Sequence, residues 1–208
     1  IHKDIASIGF AAFGNCRRIE SITVDADNSY YDSRENCNAI IETATNTLIR
    51  GCKNSSIPNN VTSIGDYAFQ ACIALTSFVI PEGVTSIGDY AFSECFNLTS
   101  IVIPSSVSSI GSYVFYHCYP LTSIEIPEGV TTIGDYAFFF CHALTSIEIP
   151  SSVTSIGDRA FFGCRGLATI LIPEGVTSIG NYAFQSCFGL SSIAIPSSVT
   201  SIGAFAFY

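Results

Sequence analysis

The sequence predicts an α/β solenoid with a 23-residue period. Two residue types carry this prediction, because proline and cysteine recur at fixed phases along the chain. Seven of the eight prolines follow one another at 23-residue steps: Pro58, Pro81, Pro104, Pro127, Pro150, Pro173 and Pro196. Six cysteines keep the same step: Cys72, Cys95, Cys118, Cys141, Cys164 and Cys187. Self-similarity of this length indicates a repeat architecture in which each coil contacts mainly its neighbours.

The first part of each copy predicts a β-strand. In the stretch LTSIEIP, Leu121, Ile124 and Ile126 point one way while Glu125 points the other, which is the alternation of a half-buried strand. Proline ends the strand because it has no N–H to donate to a sheet. One such strand per copy predicts a parallel sheet, expected on the concave face of the solenoid.

The second part of each copy predicts a short extended piece, VTSIG, followed by a short helical turn, DYAFFFC. Gly134 is expected to allow a positive φ between the two. The next residue in each copy favours a helix N-cap, because Asp, Ser and Asn replace one another there: Asp66, Asp89, Ser112, Asp135, Asp158 and Asn181. A calcium-binding row is the alternative, although one carboxylate per coil falls short of the 6–8 oxygens that calcium takes.

The six phased cysteines predict a ladder of buried free thiols. Each lies between phenylalanine and leucine, where a small apolar residue belongs. Stacked copies would hold parallel Cβ atoms at the inter-strand spacing, which exceeds the ~3.8 Å that a disulfide prefers. No metal site is expected either, since there is no C-x-x-C pair and no histidine at ligand spacing.

The repeat is interrupted by an insertion over residues 25–57. Two short strands, NAIIET and TNTLIRGC, predict a hairpin in which Ile41 pairs with Leu48. The same register places Cys37 opposite Cys52, which makes this pair the candidate disulfide. Either an elaborated turn that shields the solenoid or a projecting contact element fits the insertion. The whole chain, residues 1–208, is expected to form one domain of about eight copies, the first and last partial.

These residues resemble the BspA-type leucine-rich repeat family through the motif L-x-x-I-x-I-P-x-x-V-x-x-I-G-x-x-A-F-x-x-C. The resemblance covers nearly all of the chain outside residues 25–57. It implies a leucine-rich repeat arc in a surface or secreted protein that adheres to host proteins, extracellular-matrix proteins or other cells. The family has no catalytic residues to carry over, and no cofactor is implied.

Charge narrows the range of partners. The net charge is −9, and from Pro58 onward only Arg159 and Arg165 are basic. Nucleic-acid binding is excluded because phosphates require lysine and arginine. No apolar run approaches the roughly 20 residues of a membrane span, so no membrane insertion of this segment is expected. These exclusions favour a protein ligand, which the family resemblance implies to be extracellular, and self-association end to end or side by side is the alternative.

Binding is expected at positions that vary between copies. One candidate surface is the outward row on the predicted concave face: Thr23, Val79, Val102, Glu125, Glu148, Leu171 and Ala194. The other, the aromatic edge, flanks the cysteines: Phe96, Tyr116, His117, Tyr119, Phe139, Phe140, His142, Phe162, Arg165 and Phe188. Exposed aromatic clusters often mark interaction sites, and packing of these rings against one another is the alternative.

Three other functions compete with binding. An enzyme would need a Cys–His dyad near His117 or His142, with a thiolate and an oxyanion hole, whereas the thiols are expected to point inward. An ice- or crystal-binding face could use the threonine row: Thr62, Thr85, Thr131, Thr154, Thr177 and Thr200. A structural spacer or self-assembling segment without its own ligand is the strongest of the three.

Overall fold

A computed structural model describes all residues from 1 to 208 and shows a solenoid of about six regular coils stacked in parallel. Successive coils pair at a constant offset of 23 residues, as in the pairs Ser77–Ser100 and Ser63–Ser86. The predicted solenoid and its period are therefore confirmed. Two separate hydrogen-bonded strand ladders run along it, rather than the single sheet that the sequence predicts.

The strands are short. They are β1 (Tyr31–Asp32), β2 (Ile40–Glu42), β3 (Thr47–Arg50), β4 (Ser63–Ile64), β5 (Ser77–Val79), β6 (Ser86–Ile87), β7 (Ser100–Val102), β8 (Ser109–Ile110), β9 (Thr132–Ile133), β10 (Ser146–Glu148), β11 (Ser155–Ile156), β12 (Thr169–Leu171), β13 (Ser178–Ile179) and β14 (Ser201–Ile202). A single 3₁₀ turn, Arg34–Asn36, is the one helical element. The structure contains no helix with the length and apolar composition of a membrane span.

The first ladder contains the strands that the sequence predicts. Strand β5 pairs in parallel with β7, and β10 pairs in parallel with β12. Isolated bridges, Ser100–Ser123 and Glu125–Glu148, connect these two pairs through the intervening coil. Each three-residue strand is exposed, buried and exposed in turn, so its central side chain enters the core while its two neighbours share the outer surface.

The second ladder comes from the VTSIG pieces. It joins β3, β4, β6 and β8 in one sheet and β9, β11, β13 and β14 in another. Threonine side chains reinforce it, since Thr85 Oγ1 lies 3.1 Å from the carbonyl oxygen of Thr62 in the preceding coil. Thr154 and Thr177 bond backward in the same way. Five of the six hydroxyl groups in this row, all except that of Thr131, thus donate inside the solenoid, which argues against an ice-binding face.

The predicted helical turns are wrong. Alternate N–H groups of this segment donate along the solenoid axis to the next coil: Tyr67 to Asp89 at 2.9 Å and Phe69 to Ala91 at 2.7 Å. The residue two places after each glycine has a left-handed φ between +53° and +59°, namely Tyr67, Tyr90, Tyr113, Tyr136, Arg159, Tyr182 and Phe205. A left-handed residue breaks the helical run and turns the N–H outward, so the next coil takes the place of an i−4 partner.

The Asp/Ser/Asn column does not cap helices either. Asp66 Oδ1 accepts a 2.8 Å hydrogen bond from the N–H of Asp89, the same position one coil later, and Asp89 Oδ1 accepts from Ser112 at 2.7 Å. The preceding glycine is needed for space rather than for a positive φ. A Cβ at Gly88 would lie 2.3 Å from Asp66 Oδ1, and one at Gly134 would lie 3.0 Å from a backbone oxygen of the coil before.

The core is built from repeated columns of side chains. Phe69 and Phe92 stack with ring centroids 5.1 Å apart, and Phe138 and Phe161 stack at 5.2 Å. The six phased cysteines are free and buried, yet they do more than fill space. The thiol hydrogen bonds point back to a phenylalanine carbonyl of the preceding coil, at 3.1 to 3.3 Å: Cys95–Phe69, Cys118–Phe92, Cys141–Phe115, Cys164–Phe138 and Cys187–Phe161.

Burial keeps these thiols protonated. It raises the pKa of Cys72 from its ordinary value of 9.0 to about 11, and those of Cys118 and Cys187 to about 12. The pKa values of Cys95 and Cys141 are also raised well above the ordinary value by burial. The ladder is therefore neutral in the folded protein across the physiological range.

The insertion continues the solenoid instead of projecting from it. Strands β2 and β3 form an antiparallel hairpin in which Ile41 lies opposite Leu48, the pair that the sequence predicts. Strand β3 then pairs in parallel with β4, placing Leu48 beside Ile64. The hairpin thus occupies the position of a preceding coil in the second ladder, and this geometry favours the elaborated-turn interpretation.

Arg50 ends the series of hydrogen bonds between the turn segments of successive coils, at the point where the hairpin interrupts the repeat. Its side chain is buried, and Nη1 lies 3.1 Å from the carbonyl oxygens of Tyr67 and Gln70. Beside it, the N–H of Gly51 donates to Ala68 at 2.9 Å. In later coils the positions of Ala68 and Gln70 accept N–H groups from the coil before, so Arg50 and Gly51 replace those donors.

The predicted disulfide is not formed, since Cys37 and Cys52 are both free thiols. The physical reason is an irregularity of register between Ile40 and Ile41. A shift of one residue turns every following side chain to the other face of a strand. It brings Asn38 to Cys52, with Asn38 Nδ2 3.3 Å from Cys52 Sγ, while Cys37 packs into the main core.

Ser112 marks the one gap in the row of side-chain acceptors of the middle coils, because its shorter side chain accepts no hydrogen bond from the Asp135 N–H. We expect Ser112→Asn to stabilise the protein by about 1 kcal/mol by completing the ladder without adding charge beside Asp89. Urea denaturation would measure the change. Ser112→Ala is the control and should leave the free energy of unfolding nearly unchanged. Equal stability of all three proteins would contradict a stabilising role for these side-chain acceptors.

The buried thiols predict a loss of stability at alkaline pH. In the unfolded chain they ionise near 9.0, whereas the folded chain keeps them protonated up to about 11 or 12. Their stabilising contribution is therefore fully present below pH 9 and falls as pH rises toward those values, by up to about 1.4 kcal/mol per thiol and pH unit. Denaturation from pH 8 to 11 would test this, and Cys118→Ala should show a shallower decline. Constant stability from pH 8 to 10.5 would contradict it.

Candidate protein-binding surfaces

The outer surface of the first ladder, here called the sheet face, carries two rows of side chains. One row is the variable set predicted from the sequence, and all of its members are exposed: Thr23, Val79, Val102, Glu125, Glu148, Leu171 and Ala194. The exposed fractions of Val79, Val102 and Leu171 are 68%, 56% and 70%. The other row contains hydroxyl groups: Ser77, Ser100, Ser123, Ser146, Thr169 and Ser192. The middle coils form a shallow trough of about 680 Å³ between Ser100 and Glu148.

Two carboxylates lie side by side at the centre of the sheet face. Glu125 and Glu148 are directly opposite each other in a parallel bridge, and both are exposed. Neither carboxylate takes part in an ion pair or accepts a hydrogen bond, although Glu128 and Glu174 nearby both bond to serines of the next coil. Like charges opposite each other in a sheet repel, so this pair does not stabilise the solenoid.

Most of the predicted aromatic edge packs against itself. Tyr116 stacks on Phe139 at 5.0 Å between centroids, and Phe139 stacks on Phe162 at 4.9 Å. A second file stacks His117 on Phe140 at 5.6 Å. These rings are half-buried by their neighbours, which favours the packing alternative for them. Three members of the edge stay exposed to solvent: Tyr119, Arg165 and Phe188.

The two histidines near the cysteines are not arranged for nucleophilic catalysis. Burial lowers the pKa of both His117 and His142, and Arg165 lowers that of His142 further. The adjacent Cys118 thiol is bonded to Phe92, and burial raises its pKa to about 12. A nucleophilic cysteine needs the opposite shift, toward the thiolate. His142 Nε2 is buried without a hydrogen-bond partner, so it has no group to activate.

The aspartate column offers no metal centre. Its carboxylates accept N–H groups from the next coil, as Asp135 does from Asp158 at 2.8 Å. No group of three or more His, Cys, Asp or Glu side chains is placed to hold a metal ion. The calcium alternative therefore lacks a ligand set.

Sequence reasoning missed a second aromatic column, on the turn segment. Tyr67, Tyr90, Tyr113 and Tyr136 stack face to face with centroids 4.4 to 4.8 Å apart. Arg159 takes the next position, and its guanidinium carbon lies 4.5 Å from the Tyr182 ring centroid and 5.3 Å from that of Tyr136. The recurrence of tyrosine two residues after the glycine in five of the copies was the available signal. This column stabilises the stack of left-handed turns.

Solved structures with this architecture come from bacteria. A leucine-rich repeat protein from Eubacterium ventriosum is 28% identical over 100% of this chain and 57% of its own, with a TM-score of 0.85. A leucine-rich repeat protein from T. pallidum is 25% identical over 88% of this chain and 86% of its own, with a TM-score of 0.70. A leucine-rich cell surface protein from Faecalibacterium prausnitzii is 33% identical over 95% of this chain and 48% of its own, with a TM-score of 0.70.

The chain thus spans about half the length of two of these proteins. A search of curated proteins gives no match. The sequence profile of the BspA type leucine-rich repeat region matches in six copies, over residues 1–49, 40–166 and 131–208. These matches include every coil described above and agree with the motif, the period and the parallel pairing. The chain belongs to the BspA-type leucine-rich repeat family.

Proposed function

We propose that this chain is a non-enzymatic, protein-binding module of a cell-surface or secreted leucine-rich repeat protein, and that it acts in adhesion. The observation that carries the proposal is the sheet face. Its aliphatic side chains, Val79, Val102 and Leu171, are more than half exposed on strands whose buried positions already complete the core. Exposed aliphatic groups beside a polar rim are typical of protein interaction sites.

Packing does not require these residues. The central residue of each strand is apolar in every copy and buried in all but the last, where Ile193 is half-buried, whereas the outward position varies between threonine, valine, glutamate, leucine and alanine. A solenoid presents such a row as one continuous surface, because each coil contributes one residue at a constant spacing. The row therefore suits a binding partner that contacts several coils at once.

One observation supports an extracellular setting, and the net charge limits the class of partner. The relative from Faecalibacterium prausnitzii is described as a cell surface protein, and it is 33% identical to this chain. The surface is acidic, with a net charge of −9, so nucleic acids and anionic lipid surfaces are unsuitable partners. Host and extracellular-matrix proteins are accordingly the partners to test first.

Non-enzymatic action agrees with the chemistry of the candidate nucleophiles. The ladder thiols are buried, hydrogen-bonded and held protonated, and the two half-buried histidines are shifted toward their neutral forms. Neither group can supply an activated nucleophile in this arrangement. We infer that the chain acts by binding a partner whose surface is complementary to its own.

We expect Leu171→Ser to weaken capture of a bound protein about tenfold, because the leucine side chain would otherwise be buried on binding. The chain would be immobilised and exposed to a panel of extracellular-matrix and serum proteins, with binding measured by surface plasmon resonance. Phe188→Ser is the matched control, since Phe188 is 75% exposed at the aromatic edge. Loss of capture in the Phe188→Ser control alone would contradict the assignment of binding to the sheet face. A wild-type chain that captures nothing and elutes as an assembly would instead support the self-assembling spacer.

A further inference from the structure

We infer that the sheet face recognises an extended protein segment in which an arginine or lysine side chain is flanked by aliphatic side chains two residues away on each side. This inference rests on the proposed binding function and adds the chemistry of the partner. It follows from the charges at the centre of the face, the apolar groups at its ends and the free hydroxyl groups beside them.

The glutamate pair provides a site for a cation. Glu125 and Glu148 are opposite each other on adjacent coils, and neighbouring strands lie about 4.8 Å apart. A guanidinium group can donate to two carboxylates at once through its planar fork of N–H groups, so arginine suits the pair better than lysine. Binding a cation there would also relieve the repulsion between the two carboxylates.

No basic residue of the chain itself can fill this position. After residue 58 the two arginines are both engaged elsewhere, since Arg159 is stacked between Tyr136 and Tyr182 and Arg165 lies over Phe188 at 5.9 Å. All four ion pairs of the structure involve residues before position 95. A cation that pairs with these two glutamates would therefore come from a partner.

The apolar residues on both sides set the spacing of the partner. Val102 and Leu171 flank the glutamates three coils apart, which corresponds to about 14 Å at the strand spacing. An extended segment lying along the solenoid axis advances about 13 Å in four residues, and its alternate side chains face the same way. Residues i, i+2 and i+4 of such a segment would meet Val102, the glutamate pair and Leu171 in turn.

The serine row supplies groups for the backbone of that segment. The hydroxyls of Ser100, Ser123 and Ser146 are exposed and have no hydrogen bond within the chain. By contrast, the threonines just before them, Thr99, Thr122 and Thr145, donate to the coil before. The serine row is therefore free to donate to, and accept from, the peptide groups of a bound segment.

A phage-displayed library of random 12-residue linear peptides, selected against the immobilised chain, would test the inference. We expect enrichment of peptides with arginine or lysine between aliphatic residues at i−2 and i+2. A synthetic peptide of the enriched sequence should bind the Glu125→Gln/Glu148→Gln variant at least about tenfold more weakly. Its binding to the native chain should also weaken with rising salt.

The matched control is Glu35→Gln/Glu82→Gln, which removes the same charge from two exposed glutamates that form no hydrogen bond and lie off the sheet face. This control should leave peptide binding unchanged. Enrichment without a basic residue, or equal weakening by both double variants, would overturn the inference. Protein capture that is lost in Leu171→Ser but kept in Glu125→Gln/Glu148→Gln would overturn it while leaving the proposed binding function intact.

Discussion

The hydrogen bonds that pass from the turn segment of one coil to the next are the interaction on which the rest of the structure depends. They require left-handed backbone at a tyrosine, arginine or phenylalanine in each coil, at a cost of about 1–2 kcal/mol per residue. The stacked phenylalanine and tyrosine columns offset this cost, because the same step of 23 residues that aligns the N–H groups also aligns the rings. Each coil is therefore stable only in register with its neighbours.

This constraint separates structural positions from functional ones. Inward phenylalanine, cysteine, isoleucine and leucine side chains have a defined neighbour in the adjacent coil, and even the aspartate and threonine side chains outside the core bond along the axis. Glu125 and Glu148 lack any such partner and lie where their charges oppose each other. The proposed recognition of a basic partner uses this pair, which does not stabilise the fold and lies on a face that the fold leaves free.

Much of the solenoid fold could be predicted from the sequence, because the period and the identity of the buried residues follow from the spacing of apolar residues alone. The conformation of the turn segment could not be predicted, since Asp, Ser or Asn after glycine fits a helix N-cap as well as it fits an acceptor for the next coil. The choice between the two depends on N–H groups one coil away. The predicted disulfide of the hairpin was wrong for a local reason, a one-residue irregularity of the strand register at Ile40. The outward row could be located from its variability. That no basic side chain pairs with Glu125 or Glu148 could be seen only in the folded structure.

Hydrogen exchange in the native state tests the inter-coil ladder most directly. The amides of Phe92, Phe115 and Phe138 each donate to the following coil from within the core. We expect them to exchange among the slowest in the protein and at similar rates, because only separation of coils exposes them. The exposed amide of Ser105, which makes no hydrogen bond, is the internal reference and should exchange rapidly. Exchange of the three phenylalanine amides as fast as that of Ser105 would contradict the ladder.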